Sequence, residues 1–375
     1  MQYLKTYLNK IIARGNEKLA ESISKTAEDI GKSYISTFSF TSHEIGLLFG
    51  NVQSGKTGQM FGILCKAADL GFPAFLILTT DNVVLQAQTL ERVKSDLEGF
   101  CICGEDDTGL FVENSLIQPA IIILKKNSRV LRKWANIFNT TGFMKGNPLF
   151  IIDDEADAAS LNTFINRKGN QFSSINKYLN SIKNGATSSL YLQVTGTPQA
   201  ILLQTMASGW HPYFTYYFQP GSAYLGGDFF FPSSQKPDCI TFLETVKEDT
   251  KEAVLRHITV SAQVLASGGK VCNGLIHPSV RQSAHNTYAK DVKKVLEWCK
   301  ANNAEFKAEI IKHSASLNPQ KSAKLSYDVI FSKAESLVMN DEINVYIMNG
   351  TNEVDSSAYA QGSNIVIGGN TLGRG

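Results

Sequence analysis

Gly50-Asn51-Val52-Gln53-Ser54-Gly55-Lys56-Thr57 is the stretch on which the fold turns. It matches G-x-x-x-x-G-K-[ST], with a short apolar run at 45–49 before it and a helix-compatible stretch at 57–70 after it. Strand, glycine loop and helix in that order build a phosphate-binding loop. Glycines let backbone N–H groups turn inward as an anion nest, and the helix N-terminus adds its positive end. Gly50, Gln53, Ser54, Gly55, Lys56 and Thr57 are therefore the expected ATP-binding residues. Lys56 can reach the β and γ phosphates, and the Thr57 hydroxyl can ligate Mg²⁺. The bland alternative is a chance glycine-rich turn, which leaves the flanking strand and helix unexplained.

Working outward, apolar runs recur at 74–78, 120–124, 149–152 and 190–194, bounded by Gly, Pro, Asn or Thr. They are apolar on both faces, which suits parallel strands covered by helices on both sides. Helices are expected between them at 82–97, 128–138 and 172–182, so the first half reads as an open α/β sheet. The rhythm resumes near residue 270, with strands expected at 271–276, 308–311, 345–348 and 365–367 and helices at 280–301 and 321–338. The first 35 residues read as amphipathic helix interrupted at Gly15. Residues 210–231 hold 10 of the 37 aromatic residues together with several Pro and Gly, a composition expected of a loop or hairpin between the two α/β units.

Composition narrows the class. At 375 residues, 43% apolar and 19% charged, the chain is long enough for two packed domains and too apolar to be disordered. No apolar run approaches the roughly 18 residues of a membrane helix, and the Met1-Gln2-Tyr3-Leu4-Lys5 start lacks the layout of a secretory signal. Six scattered cysteines form neither a disulfide framework nor a CxxC zinc pair. A reduced, cytoplasmic protein is expected, without a membrane partner. A net charge of +2 excludes a globally basic nucleic-acid coat and leaves room only for a local basic track.

Leu149-Phe150-Ile151-Ile152-Asp153-Asp154-Glu155-Ala156-Asp157 is an apolar strand ending in carboxylates, 98 residues after Lys56 at Asp154. A carboxylate at a strand tip beside a phosphate loop can hold the Mg²⁺ that Thr57 ligates, and its neighbour can polarise the attacking water. Asp154 is expected as metal ligand and, with Lys56 and Glu155, as catalytic residue. Strand alternation turns Asp153 to the other face. An acidic, helix-capping loop is the bland alternative.

Asp154-Glu155-Ala156-Asp157 spells the DEAD box of superfamily-two helicases. Thr195-Gly196-Thr197-Pro198 resembles their motif III, and the segment from Asn364 to Gly375, ending Gly369-Asn370-Thr371-Leu372-Gly373-Arg374-Gly375, resembles motif V. These forms together look most like the Z-one domain family of helicase-like ATPases, which are associated with phage defence and often labelled endonucleases. The resemblance runs from about residue 45 to the end. It implies a P-loop NTPase with a helical appendage (1–38), a RecA-like ATP-binding lobe (39–207), an aromatic-rich insert (208–245) and a second, incomplete RecA-like lobe (246–375). It also implies ATP and Mg²⁺ as cofactors, and coupling of the nucleotide to nucleic acid through Thr195, Thr197 and Arg374. In such motors the arginine finger lies beyond motif V, where this sequence stops. Either the chain is a fragment or the finger comes from another molecule, and weak turnover is expected of these 375 residues alone.

Lys125, Lys126, Arg129, Arg132 and Lys133 place five basic residues and no acid in nine positions after the third strand. By resemblance the loops here contact the nucleic-acid backbone, DNA being favoured over RNA; a solvated helix face is the alternative. The aromatic stretch could stack bases, but packing accounts better for ten rings. Nuclease chemistry has no clear home: Pro237-Asp238 is followed by Glu244-Thr245-Val246-Lys247, one residue too long for the common metal-dependent pattern. His211, His277 and His313 show no ligand spacing. The expected function is a helicase-like ATPase acting on DNA, in a restriction or phage-defence setting. The alternative is a nucleotide-dependent switch controlling a partner nuclease or another defence subunit.

Overall fold

Apolar runs bounded by turn residues become parallel sheet in the computed structural model, which describes residues 2–51, 54–114, 117–143, 145–158, 160, 173–203, 209–222, 224–231, 246–279, 281–319, 322–349 and 354–369. Two compact units follow one another, Met1–Pro237 and Asp238–Gly375.

The first unit opens with α1 (Tyr3–Ala13) and α2 (Glu17–Ile30), the latter continued by a π-helical turn at Gly31–Ile35. Ala20, Ile23, Ala27 and Ile30 recur every three or four residues along α2 and are buried, as an apolar stripe requires. Then come β1 (His43–Phe49), α3 (Lys56–Asp69), β2 (Ala74–Thr79), α4 (Val83–Asp96), β3 (Cys101–Cys103), α5 (Thr108–Asn114), β4 (Ala120–Lys125) and α6 (Ser128–Thr141). The series closes with β5 (Pro148–Asp154), α7 (Ser174–Gly185), β6 (Ser188–Thr195), α8 (Gln199–Leu202), β7 (Phe214–Tyr217) and α9 (Gly227–Phe230). The helices α1 and α2 pack on α3, and Ile23 lies so close to Gly62 that a Cβ there would overlap its side chain. Asp69, the last residue of α3, accepts the first N–H groups of α1 from Tyr3 (2.7 Å) and Leu4 (3.1 Å). These are donors that a helix cannot satisfy itself.

The seven strands form one sheet in the order β3-β4-β2-β5-β6-β1-β7, and every pairing is parallel. Every residue of β2 and β6 is buried, as expected of strands covered on both faces. The aromatic stretch departs from the loop or hairpin expected of it: Phe214-Thr215-Tyr216-Tyr217 adds to the sheet beside β1 as a parallel strand, with Gly46 opposite Phe214. The Phe214 ring fills the space above Gly46 and stacks on Tyr34 at 3.9 Å and 5°. Aromatic and β-branched residues suit a pleated, half-buried edge, so four of them make a strand despite the surrounding Pro and Gly.

The second unit comprises α10 (Val246–Ala266), β8 (Val271–Ile276), α11 (Gln282–Ala301), α12 (Asn303–Ala315), α13 (Tyr327–Met339), β9 (Ile343–Met348) and β10 (Gly362–Gly368). Its sheet, β8-β10-β9, is also parallel. The strand expected at 308–311 is instead part of α12. Phe306, Ile310 and Ser314 are buried four residues apart, and that helical period outweighs a short apolar run. Asn364 in the central strand donates to Asn273 (2.9 Å) and accepts from Asn344 (3.0 Å), its register partners on either side. Val254, Leu255, Ile258 and Ala262 of α10 share a core with Ile330, Ala334, Leu337, Ile365 and Ile367.

Candidate nucleotide site

Strand order decides which loops meet. In the sheet, β6 lies between β1 and β5, with Thr195 opposite Phe49 and Val194 opposite Asp154. The carboxyl ends of these three strands therefore stand abreast, the place where open α/β sheets bind ligands. The loop after β1 starts at Gly50, whose N–H donates to the Thr195 carbonyl at 3.4 Å. Gly55 sits in the left-handed region (φ +90°), a conformation glycine adopts without the Cβ penalty, and α3 begins at the next residue with no side-chain cap. Its first turn is thus available as an anion site. Ser54 is buried, with its hydroxyl donating to the Asn51 carbonyl, while Lys56 and Thr57 are half-buried. Gln53 lies outside the described residues.

The acidic box is built by three hydrogen bonds to the neighbouring strand and its loop. Ala156 N–H donates to the Val194 carbonyl (3.0 Å), folding the chain after β5 back over β6. The Asp157 carboxylate then accepts the hydroxyls of Thr195 (2.7 Å) and Thr197 (2.6 Å). Box and Thr-Gly-Thr segment are therefore joined by hydrogen bonds. Asp154 closes β5, its Oδ1 accepting the N–H of Glu155 at 3.1 Å. Glu155 itself takes φ +53°, left-handed for a residue with a Cβ. Burial, then Glu155 and Asp153, push the Asp154 carboxyl up to about 6, against the pull of Lys126 and Lys56. The Asp154 carboxylate at this strand tip and the Thr57 hydroxyl in the first turn of α3 are both oxygen donors, the kind Mg²⁺ takes.

Asp153 faces away from Asp154, as alternation requires, and is wholly buried. Its two oxygens accept Lys126 Nζ (3.0 Å) and the Tyr191 hydroxyl (2.7 Å). Burial and that carboxylate hold the Tyr191 phenol well above its ordinary value, so it stays a donor. This corrects the expectation for Lys126. Its side chain is 0% exposed and also donates to the carbonyls of Asp154 (2.8 Å) and Glu155 (2.7 Å), so it cannot touch nucleic acid. The rest of the basic track is thinned as well. Lys125 pairs with Glu105 at 3.5 Å, and Lys133 donates to Asp106 and to the Glu105 carbonyl, both at 3.0 Å. Arg129 and Arg132 are exposed on α6, whose N-terminus Asn127 caps by accepting the Arg129 N–H.

Sequence reasoning set Asp153 aside and missed its partners. The signal was present: an aspartate on the covered face of a central strand stays buried only if a cation or donor meets it. In the second unit, α12 brings His313 beside Glu309 and Glu252, with its Nε2 at 3.8 Å and 3.5 Å from their oxygens. Glu252 lies on another helix, so linear spacing gave no sign of the cluster. Lys312 already bridges the same two carboxylates at 3.2 Å and 3.6 Å, offsetting part of their charge. β10 ends at Gly368, and Arg374 lies outside the described residues. Among the described residues no helix is long and apolar enough to cross a membrane.

A phosphate-loop sequence on the first strand of a parallel sheet, with an acidic box two strands away, defines an α/β protein of the P-loop NTPase fold. No protein-family model and no curated protein matches the sequence. Among solved structures, the chain is similar to the Pyrococcus furiosus Hef helicase domain (14% identity, TM-score 0.35), with 83% of this chain and 58% of that one covered. It is also similar to the ATP-dependent Type ISP restriction-modification enzyme LlaBIII bound to DNA (13%, TM-score 0.44; 94% and 24% covered). A third is the Aeropyrum pernix ORC2 protein (9%, TM-score 0.28; 84% and 93% covered). The chain thus spans little more than half of the first of these and a quarter of the second. Identities this low leave the chemistry to be read from this chain's own residues.

Proposed function

We propose that this chain is a helicase-like ATPase that couples ATP hydrolysis to translocation on, or remodelling of, nucleic acid, with DNA as the favoured substrate and restriction or phage defence as the setting. The observation that supports it most is the Asp157 bridge. A carboxylate of the acidic box holds both threonines of the Thr-Gly-Thr segment, so a change at the nucleotide is transmitted to the neighbouring strand and loop. The phosphate loop binds the triphosphate, with Lys56 on the β and γ phosphates. Thr57 and Asp154 would hold Mg²⁺, which neutralises phosphate charge when bound. Glu155 orients a water for attack on the γ-phosphorus; the bond to the β,γ-bridging oxygen breaks and the water's proton leaves with the products, ADP and phosphate.

The test is ATP hydrolysis by the chain and its Lys56→Ala variant, with and without single- and double-stranded DNA and RNA over a salt series. Lys56→Ala is expected to lower turnover by about 10²–10³-fold, as loss of one oxyanion-stabilising donor does. Unchanged hydrolysis in that variant sinks the ATPase reading. The thinned basic track favours a second reading, in which the nucleotide state switches a partner nuclease and nothing is unwound. Turnover indifferent to every nucleic acid, but raised by a protein partner, would decide for it.

A further inference from the structure

We infer that Lys126 is a positioning residue of the acidic box: its ammonium holds the turn that aims Asp154 and Glu155, and Asp153 with Tyr191 holds the ammonium. The inference rests on the ATPase reading above and names a residue that reading does not require. An ammonium has three N–H donors. All three of Lys126 are used, on Asp153 Oδ1 (3.0 Å) and the carbonyls of Asp154 (2.8 Å) and Glu155 (2.7 Å). Two of the three acceptors are thus main-chain atoms of the residues assigned to metal and water.

Geometry gives those bonds a purpose. Glu155 sits at φ +53°, where a Cβ crowds the backbone, so the peptide on its carboxyl side turns away unless something keeps it. Lys126 grips the carbonyls on both sides of that residue's φ and ψ. It does so from the end of β4, two strands away, where its own N–H is fastened to the Thr79 carbonyl at 2.9 Å. From the other side β6 supplies Tyr191, whose hydroxyl occupies the second oxygen of Asp153 at 2.7 Å. A buried belt therefore runs from β4 through β5 to β6 beneath the site, every polar atom of it paired.

A lysine present only to neutralise Asp153 would be dispensable once Asp153 went with it. The full chain should therefore be compared with Lys126→Arg and with the triple variant Lys126→Met, Asp153→Leu, Tyr191→Phe, which removes the belt without orphaning a buried charge. Melting temperature, affinity for a fluorescent ATP analogue with and without Mg²⁺, and single-turnover hydrolysis are the readouts. In both variants we expect Mg²⁺-free nucleotide affinity and KM within about threefold of wild type, with kcat and the gain in affinity on adding Mg²⁺ down by roughly tenfold or more. A triple variant that melts and hydrolyses like wild type overturns the inference. Should it fail to fold, Lys126→Arg decides, because a planar guanidinium keeps the charge but cannot converge on these three acceptors; wild-type kcat and Mg²⁺ response there overturn it equally. Failure of the ATPase reading looks different: the wild-type chain itself would show neither turnover nor a Mg²⁺ response, and the inference would fall with it.

Discussion

Single residues divide the acidic box into separate tasks. Asp154 is crowded by Glu155 and Asp153, Glu155 is held in a left-handed turn, and Asp157 is spent on Thr195 and Thr197. Replacing Asp157 by Ala frees both hydroxyls without touching the phosphate loop. We expect ATP affinity within about threefold of wild type and loss of most nucleic-acid stimulation of turnover, read by titrating DNA into an ATPase assay. His257 gives a test of a different kind. Burial depresses it to about 4, with Nε2 between Ser363 (3.2 Å) and Ser261 (3.3 Å). The unfolded chain protonates it first, near the ordinary 6.5, so its contribution is whole above that pH and is lost as pH falls toward about 4. The loss is on the order of 3 kcal/mol, for a pKa about 2.5 below the ordinary one at about 1.4 kcal/mol per pH unit. Urea unfolding at several pH values should show this slope, and His257→Gln should flatten it.

At the level of elements, the parallel strands were legible because continuous apolar runs have only one comfortable place, the covered middle of a sheet. The two misreadings share one cause. Residues 308–311 look like a strand only while the buried positions Phe306 and Ser314 are left out of view. Phe214–Tyr217 looks like loop or hairpin only while Gly46 and Tyr34, its distant packing partners, are left out. Neither judgement is local. The N-terminal helices illustrate the same dependence, since Gly62 matters through Ile23 of α2. Gly62→Ala should separate α2 from α3 and cost about 1–3 kcal/mol, the usual range for overpacking, although alanine is the better helix former. Chemical denaturation checks it; a variant more stable than wild type would show that propensity wins.

Across the whole molecule, each of the two units has its own buried core. Calorimetry on the intact chain should resolve two transitions, and ATP with Mg²⁺ should raise only the one belonging to the first unit, by mass action. Charge is also a matter of the whole. A net +2 and a track reduced to Arg129 and Arg132 on the exposed face of α6 promise weak, shallow electrostatics. For single-stranded DNA, Arg129→Ala with Arg132→Ala should flatten the salt dependence of log K by about 1.4, at roughly 0.7 per phosphate contact. By itself the sequence determined the phosphate loop, the acidic strand tip and the parallel class of the sheet, because each is written in neighbouring residues whose chemistry is local. Only the tertiary structure decided that β6 stands between loop and box, that Asp157 binds the threonines, and that Lys126 turns inward to the belt with Asp153 and Tyr191. Those are consequences of strand order and burial, which bring together residues far apart in the chain and leave a buried charge no partner but the one the fold delivers.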